Sequence, residues 1–249
     1  MSAFALRLIA CLAMLSDHIG YCYGLEILRI IGRMAFPIFL YLIYNGYRHS
    51  SHPGKYALRL GMFALISQIP FSLFCANKLL IANGNVYITL LVCLLVVWGT
   101  DFLWKHKLVC IFSPIPALLG FGLYYFGILR SDYGPKGVLM IMVFYLFSGK
   151  KHWQKVATTV GVLVSVFYAK LMAVGFFCLY TMQGRAYTIP GFTRWELLQA
   201  FSVLALPVIF LYNGKKGGVK NKKLAKKIQY TFYLFYPVHM MVLWLLRIL

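Results

Sequence analysis

From Ala3 to the C-terminus the chain is a succession of apolar stretches of about 20 residues divided by short polar turns. A helix of that length crosses the hydrocarbon core of a bilayer. Within lipid every backbone N–H and C=O must be paired inside the structure, which favours helices. The sequence therefore predicts an all-α, polytopic transmembrane bundle of about nine spans (roughly eight to ten). The expected spans are 3–24, 27–47, 56–76, 85–103, 108–129, 133–148, 154–174, 195–212 and 228–248. With 61% hydrophobic and 12% charged residues, the composition excludes a soluble globular domain. No hydrophilic block is long enough for a second domain, so residues 1–249 read as one integral membrane domain.

The net charge of +20 suggests a nucleic-acid binder until its distribution is considered. Basic residues gather in alternate loops: Arg48, Lys55 and Arg59, then Lys105 and Lys107, then Lys150, Lys151 and Lys155, then Lys215 to Lys227. The loops between them carry fewer, at Arg29, Lys78, Arg130, Lys136, Arg185 and Arg194. Loops rich in Lys and Arg stay on the cytoplasmic side. The N-terminus is then inside, in a cytoplasmic membrane such as the bacterial inner membrane, and an odd span count puts the C-terminus outside. Anionic lipid headgroups are the natural partners of such loops, and nucleic acid is not expected. The six cysteines form no CxxC pair, which argues against zinc and thiol redox chemistry.

Against this background a few charges stand where lipid forbids them. Asp17-His18, in LSDHIGY, and Arg33, in IIGRMAFPIF, fall inside the first two spans. A charged side chain near the bilayer centre costs at least a few kcal/mol and marks a site or a transport path. The chain holds only five acidic residues, so placing one there needs a reason. Arg7 precedes His18 by eleven residues, which is three helical turns and about 16 Å along one face. Such a face suits a long ligand with a phosphorylated head and a reactive tail, as in an acyl-coenzyme A. Asp17 points about 100° away from His18, and it either tunes the histidine or simply neutralises Arg33. Gln68, Asn85, Asp132 and His239 are further candidates at comparable depth, and Arg59 is a candidate ligand for the phosphates or an anchor at the inner surface. No P-loop, dinucleotide fingerprint or GxSxG elbow is present.

The order LSDHIGY, LRIIGRMAFPIF, YALRL with ISQIPF, GNVYITLL, SDYGPKGVL and LYNGKKG followed by YTFYLFYPVHMMVLW resembles the TraX family. That family in turn resembles the membrane-bound acyltransferase-3 superfamily, whose first helix carries a basic residue, a ten-residue gap and a histidine, as Arg7 and His18 do. The resemblance implies transfer of an acyl group, acetyl by preference, from cytoplasmic acyl-coenzyme A to an amine or hydroxyl of an acceptor protein or glycan at the membrane or its outer face, with a pilin N-terminus as the acceptor the family suggests. Arg7, Arg59 and Arg33 are then expected to bind the donor. His18 is the expected general base, since a neutral imidazole suits neutral pH. Arg33 is either the oxyanion partner or a donor ligand, and Asp17 tunes these charges. The competing expectation is a transporter of a small anionic solute coupled through Asp17, His18 and Arg33.

Overall fold

The computed structural model describes residues 1–106, 110–147, 151–186, 188–219 and 221–249. Lys107, Lys150 and Lys220, with the start of the expected span 108–129 and the end of 133–148, lie outside the described residues. Among those described, the regular elements are helical, and extended chain pairs only in an isolated bridge between Gly84 and Ser131. In chain order the helices are α1 (Ala3–Tyr23), α2 (Glu26–Gly32), α3 (Ala35–Arg48), α4 (Pro53–Ala76), α5 (Val86–Lys105) and α6 (Ile115–Tyr125). They continue with α7 (Gly134–Leu146), α8 (Lys151–Met182), α9 (Arg194–Ala200), α10 (Ala205–Phe210) and α11 (Lys222–Ile248).

Six segments are long and apolar enough to cross a membrane: Ala3–Tyr23, Glu26–Arg48, Pro53–Ala76, Val86–Lys105, Trp153–Met182 and Lys223–Ile248. The other three expected spans hold shorter pieces. The stretch 108–129 contains α6, of 11 residues, and 133–148 contains α7, of 13. The stretch 195–212 breaks into α9, a tight turn at Phe201–Leu204 and α10.

Local chemistry sets the ends and irregularities that matter for the site. Ser2 caps α1 by accepting from the Ala5 N–H, and Asn85 caps α5 by accepting from Tyr87 N–H. Such caps supply partners for N–H groups that a helix start leaves orphaned. Between α2 and α3 the helix is interrupted at Arg33-Met34. Pro37 has no N–H to return to the Arg33 carbonyl four residues earlier, so the ladder fails there and Arg33 sits at the break. Pro237 likewise frees the Tyr233 carbonyl inside α11. That carbonyl accepts instead from the Tyr87 hydroxyl of α5, at 2.9 Å. A lost backbone bond has become a bond between two helices.

The core joins α1, α3, α4, α5 and α7 through Leu6, Ala10, Ile38, Tyr44, Leu60, Leu94, Val97, Met140 and Ile141, all buried. The two helices of the α1–α2 hairpin approach each other closely. A side chain at Gly32 would run into the Cβ and backbone of Asp17, and one at Gly20 would meet the Leu25 carbonyl and Arg29. Small residues allow this approach, as they do where helices pack without a hydrophobic driving force. Large apolar side chains such as Leu58, Leu65 and Leu118 cover the outside.

The connections divide cleanly between two ends. At one end the Met1 ammonium donates to the Leu211 carbonyl, and Ala3 and Phe4 donate to Lys215 and Lys216. At the other end Gly84 donates to Arg130, Glu26 pairs with Arg194, and Trp244 near the C-terminus donates to Asn77. The two chain termini therefore lie at opposite ends of the bundle.

Candidate functional site

A cavity of about 220 Å³ opens among α1, α2, α3, α4, α7, α9, α11 and the start of α5, towards the end that carries Tyr23 and the C-terminus. It is lined by Asp17, His18, Arg29, Arg33, Asp132 and Trp195, together with apolar side chains such as Met14, Phe71 and Met240. The adjacent pair Asp17-His18 diverges as consecutive helical residues must. Asp17 turns to the α2 side and pairs with the buried Arg33, while its Oδ1 lies 3.7 Å from Arg29 Nε. His18 turns to α4 and α11. Its ring meets Phe74 edge-on at 5.3 Å, and its Nδ1 lies 2.7 Å from Nε2 of His239.

Asp17 therefore does not hold His18, and His239 does. His239 is itself buried, and its Nδ1 lies 2.7 Å from the Phe235 carbonyl one turn back in α11. The Phe235 and His239 rings stack at 4.8 Å. Arg29 lies between the rings of Tyr21 and Trp195, with centroids at 5.4 and 5.1 Å, and Arg33 lies 5.2 Å from the same Trp195 ring. A cation over an aromatic face is stabilised by roughly 0.5–2 kcal/mol, more when water is excluded. Trp195 thus lines the cavity with its ring against two guanidinium groups. Its helix is anchored on both sides, by Arg194 to Glu26 and by Glu196 to Lys170 of α8.

Asp132, on the loop before α7, lines the cavity and remains exposed. Desolvation by the surrounding protein pushes its carboxyl up to about 7, against the opposing pull of Arg33. Its neighbour Tyr133 stacks flat on Phe36 at 3.6 Å and forms part of the cavity wall.

The remaining expected residues fall elsewhere. Arg7 precedes His18 by eleven residues in α1, three turns along the same face. Arg7 and Arg59 are within electrostatic reach of Tyr56 and Tyr233. The Arg59 guanidinium sits 5.6 Å from the Tyr56 ring, and its buried Nε has no hydrogen-bond partner. A chain of aromatic contacts leads from there to His18 through Tyr233, Tyr87 and Tyr236. Gln68 and Asn85 bind each other rather than the cavity. Asn85 donates to Gln68 Oε1 at 2.9 Å and to the Ala64 carbonyl at 2.7 Å, while Gln68 donates to Asn83. They fasten the start of α5 to α4. Among the described residues no cluster of His, Cys, Asp and Glu is arranged to hold a metal ion.

Sequence reasoning missed Arg29 and Trp195 as site members. Both stand near the ends of apolar stretches, where basic and aromatic residues ordinarily meet the membrane interface. The available signal was spacing: Arg29 precedes Arg33 by four residues, one turn on the same helical face.

The fold and cavity together define a polytopic helical protein with a charge cluster and a histidine pair enclosed in one bundle. The chain belongs to the TraX family, because residues 2–247 match the family described as TraX protein. It is also similar to a protein of Dichelobacter nodosus described as "Probable fimbrial assembly protein FimC, serogroup H1". The identity there is 29% over 258 residues, covering 97% of this chain and 94% of the relative. No solved structure matches.

Proposed function

We propose that the protein is an integral membrane acyltransferase of acyltransferase-3 type. It would move an acyl group, acetyl by preference, from cytoplasmic acyl-coenzyme A to an amine or hydroxyl at the outer face. The observation that carries this reading is the histidine pair, which gives His18 a hydrogen-bonded partner inside a cavity shared with Arg33 and Arg29. An imidazole so placed is equipped to take a proton from an attacking amine or hydroxyl. The guanidinium groups beside it are equipped to stabilise the oxyanion of a tetrahedral intermediate.

The cavity volume, about 220 Å³, limits what enters. Whole-ligand pockets are commonly 300–1,000 Å³, so this one has room for the thioester and the attacking group but not for a nucleotide. The phosphates of the donor would stay near Arg7 and Arg59, at the end where the N-terminus meets Lys215 and Lys216. The unpartnered Arg59 Nε suits an anionic ligand there. That end is the cytoplasmic one if basic loops face inwards. With α6, α7 and the α9–α10 segment counted as crossings, nine passes would place the C-terminus outside a bacterial inner membrane. The name of the Dichelobacter relative favours a fimbrial subunit as acceptor, and a glycan is the other choice.

The test gives purified protein in nanodiscs labelled acetyl-coenzyme A and host membrane extract, with His18→Ala beside it. Label is expected in a protein or glycan, and the variant should transfer about 10²–10⁴-fold more slowly. Absence of transfer, or equal transfer by the variant, overturns the proposal. A carrier of small anions would instead move solute into sealed vesicles and leave no labelled product.

A further inference from the structure

We infer that His239 is the positioning residue of His18, fixing which of its two nitrogens can act as the base. The inference deepens the acyl-transfer reading and rests on it for the kinetics, but the tautomer it assigns can be measured without any turnover.

The assignment follows from a carbonyl. A carbonyl oxygen only accepts, so the 2.7 Å contact between His239 Nδ1 and the Phe235 carbonyl places a proton on that Nδ1. A neutral imidazole carries one proton, so His239 Nε2 holds a lone pair. The 2.7 Å contact between that Nε2 and His18 Nδ1 then requires the proton on His18 Nδ1. The same count leaves His18 Nε2 unprotonated, in a ring that lines the cavity. The ring geometry agrees. The two planes are only 15° apart, with centroids 5.0 Å apart. Two nearly coplanar rings joined edge to edge by a bond of that length have such a spacing, and the lone pair lies in the ring plane.

An aspartate in the position of His239 would do the same orienting work at the cost of a buried negative charge. A second neutral histidine needs none. Asp17, next to His18 in the chain, is already committed to Arg33.

The reaction step balances without any other group. The lone pair of a neutral acceptor amine attacks the thioester carbonyl carbon, and the C=O π pair moves to oxygen. The amine proton passes to His18 Nε2, while Nδ1–H stays bonded to His239. When the oxygen lone pair re-forms the carbonyl, the C–S bond breaks. The departing thiolate takes the proton from Nε2, giving free coenzyme A thiol, an amide and neutral His18.

The full chain in nanodiscs, with ¹⁵N-histidine, reads the tautomer directly by NMR, and the His18 resonance is identified by its loss in His18→Gln. The wild type is expected to hold neutral His18 with its proton on Nδ1. His239→Phe fills the space but cannot accept, and should let His18 redistribute towards the Nε2–H form. Kinetically, His239→Phe should lower kcat by roughly 100-fold, within the usual range for acid–base catalysis. KM for acetyl-coenzyme A should stay within about twofold, because the histidine acts on the chemical step and not on ground-state binding. His239→Gln places an acceptor near the position of Nε2 and should recover at least about tenfold of that loss, whereas the shorter His239→Asn should not. A His18 proton on Nε2 in the wild type, an unchanged tautomer in His239→Phe, or wild-type kcat in that variant overturns the inference. If His18→Ala transfers normally while the tautomer is as assigned, the acyl-transfer reading fails and the assignment of His239 stands.

Discussion

Position 32 has room for a hydrogen and nothing more, because α2 lies directly on the Asp17 backbone. Gly32→Ala is expected to destabilise the protein by about 1–3 kcal/mol, as overpacking does, and a thermal melt in detergent would show it. The ion pair beneath that contact behaves differently from a surface pair. Removing one partner leaves a buried charge uncompensated, typically at about 3–5 kcal/mol. Arg33→Met should therefore lower stability sharply, and Asp17→Asn in the same chain should restore part of the loss, read as a positive coupling in a double-mutant cycle. At Asp132 the sign runs from desolvation by the cavity wall. A carboxyl raised to about 7 is protonated in the fold at a pH where the unfolded chain has released the proton. Its contribution is fully present below the unfolded value of about 4 and is lost as pH rises through about 7. Asp132→Asn should remove that slope from a stability–pH profile and should delete a carboxyl infrared band that titrates near neutrality.

Among the elements, α1, α4 and α5 were legible because each is an apolar run of span length with a capping Ser, Asn or Pro at its start, and α11 because such a run follows its Asn cap and lysine-rich first turns. The regions 108–148 and 195–212 were not, since α6, α7, α9 and α10 are short helices with the composition of long ones. Composition records lipid or protein surroundings, and does not record where a packed helix stops. The candidate site divides along similar lines. Asp17, His18, Arg33 and His239 announced themselves as polar groups in apolar runs. Gln68 and Asn85 looked the same and proved to be each other's partners. The α9 helix depends on Lys170, which reaches from α8 to the Pro190 and Gly191 carbonyls at 2.7 and 2.5 Å and to Glu196. Lys170→Met should speed amide hydrogen exchange across 188–200 while leaving α1 and α4 protected. If exchange is unchanged there, Trp195 is held by its arginines alone.

At the scale of the molecule, the contacts at the two ends make one geometric statement. The N-terminus shares an end with the 211–217 turn, and the C-terminal helix finishes beside Asn77 at the other. The nine passes proposed above would fit that arrangement. Cysteines introduced singly into a cysteine-free chain, at Asn213 and at Gly127, are expected to be labelled from opposite sides of the membrane. On the orientation proposed from the basic loops, Asn213 is expected to be labelled from inside. Labelling of both from one side would contradict the arrangement of the bundle, and labelling of Asn213 from outside would invert the direction of transfer.

The bond between Asp17 and Arg33 also bears on biogenesis. Each charge alone raises the cost of leaving the translocon for lipid by about 2.5–3.5 kcal/mol at mid-helix. The partner arrives only sixteen residues later, across a two-residue turn at Gly24-Leu25. The first hairpin is therefore cheapest to insert as a closed unit, with its charges cancelled and Gly32 seated on Asp17 before α4 has been made. The contact that shapes the cavity in the finished protein also favours co-insertion of its first two membrane segments.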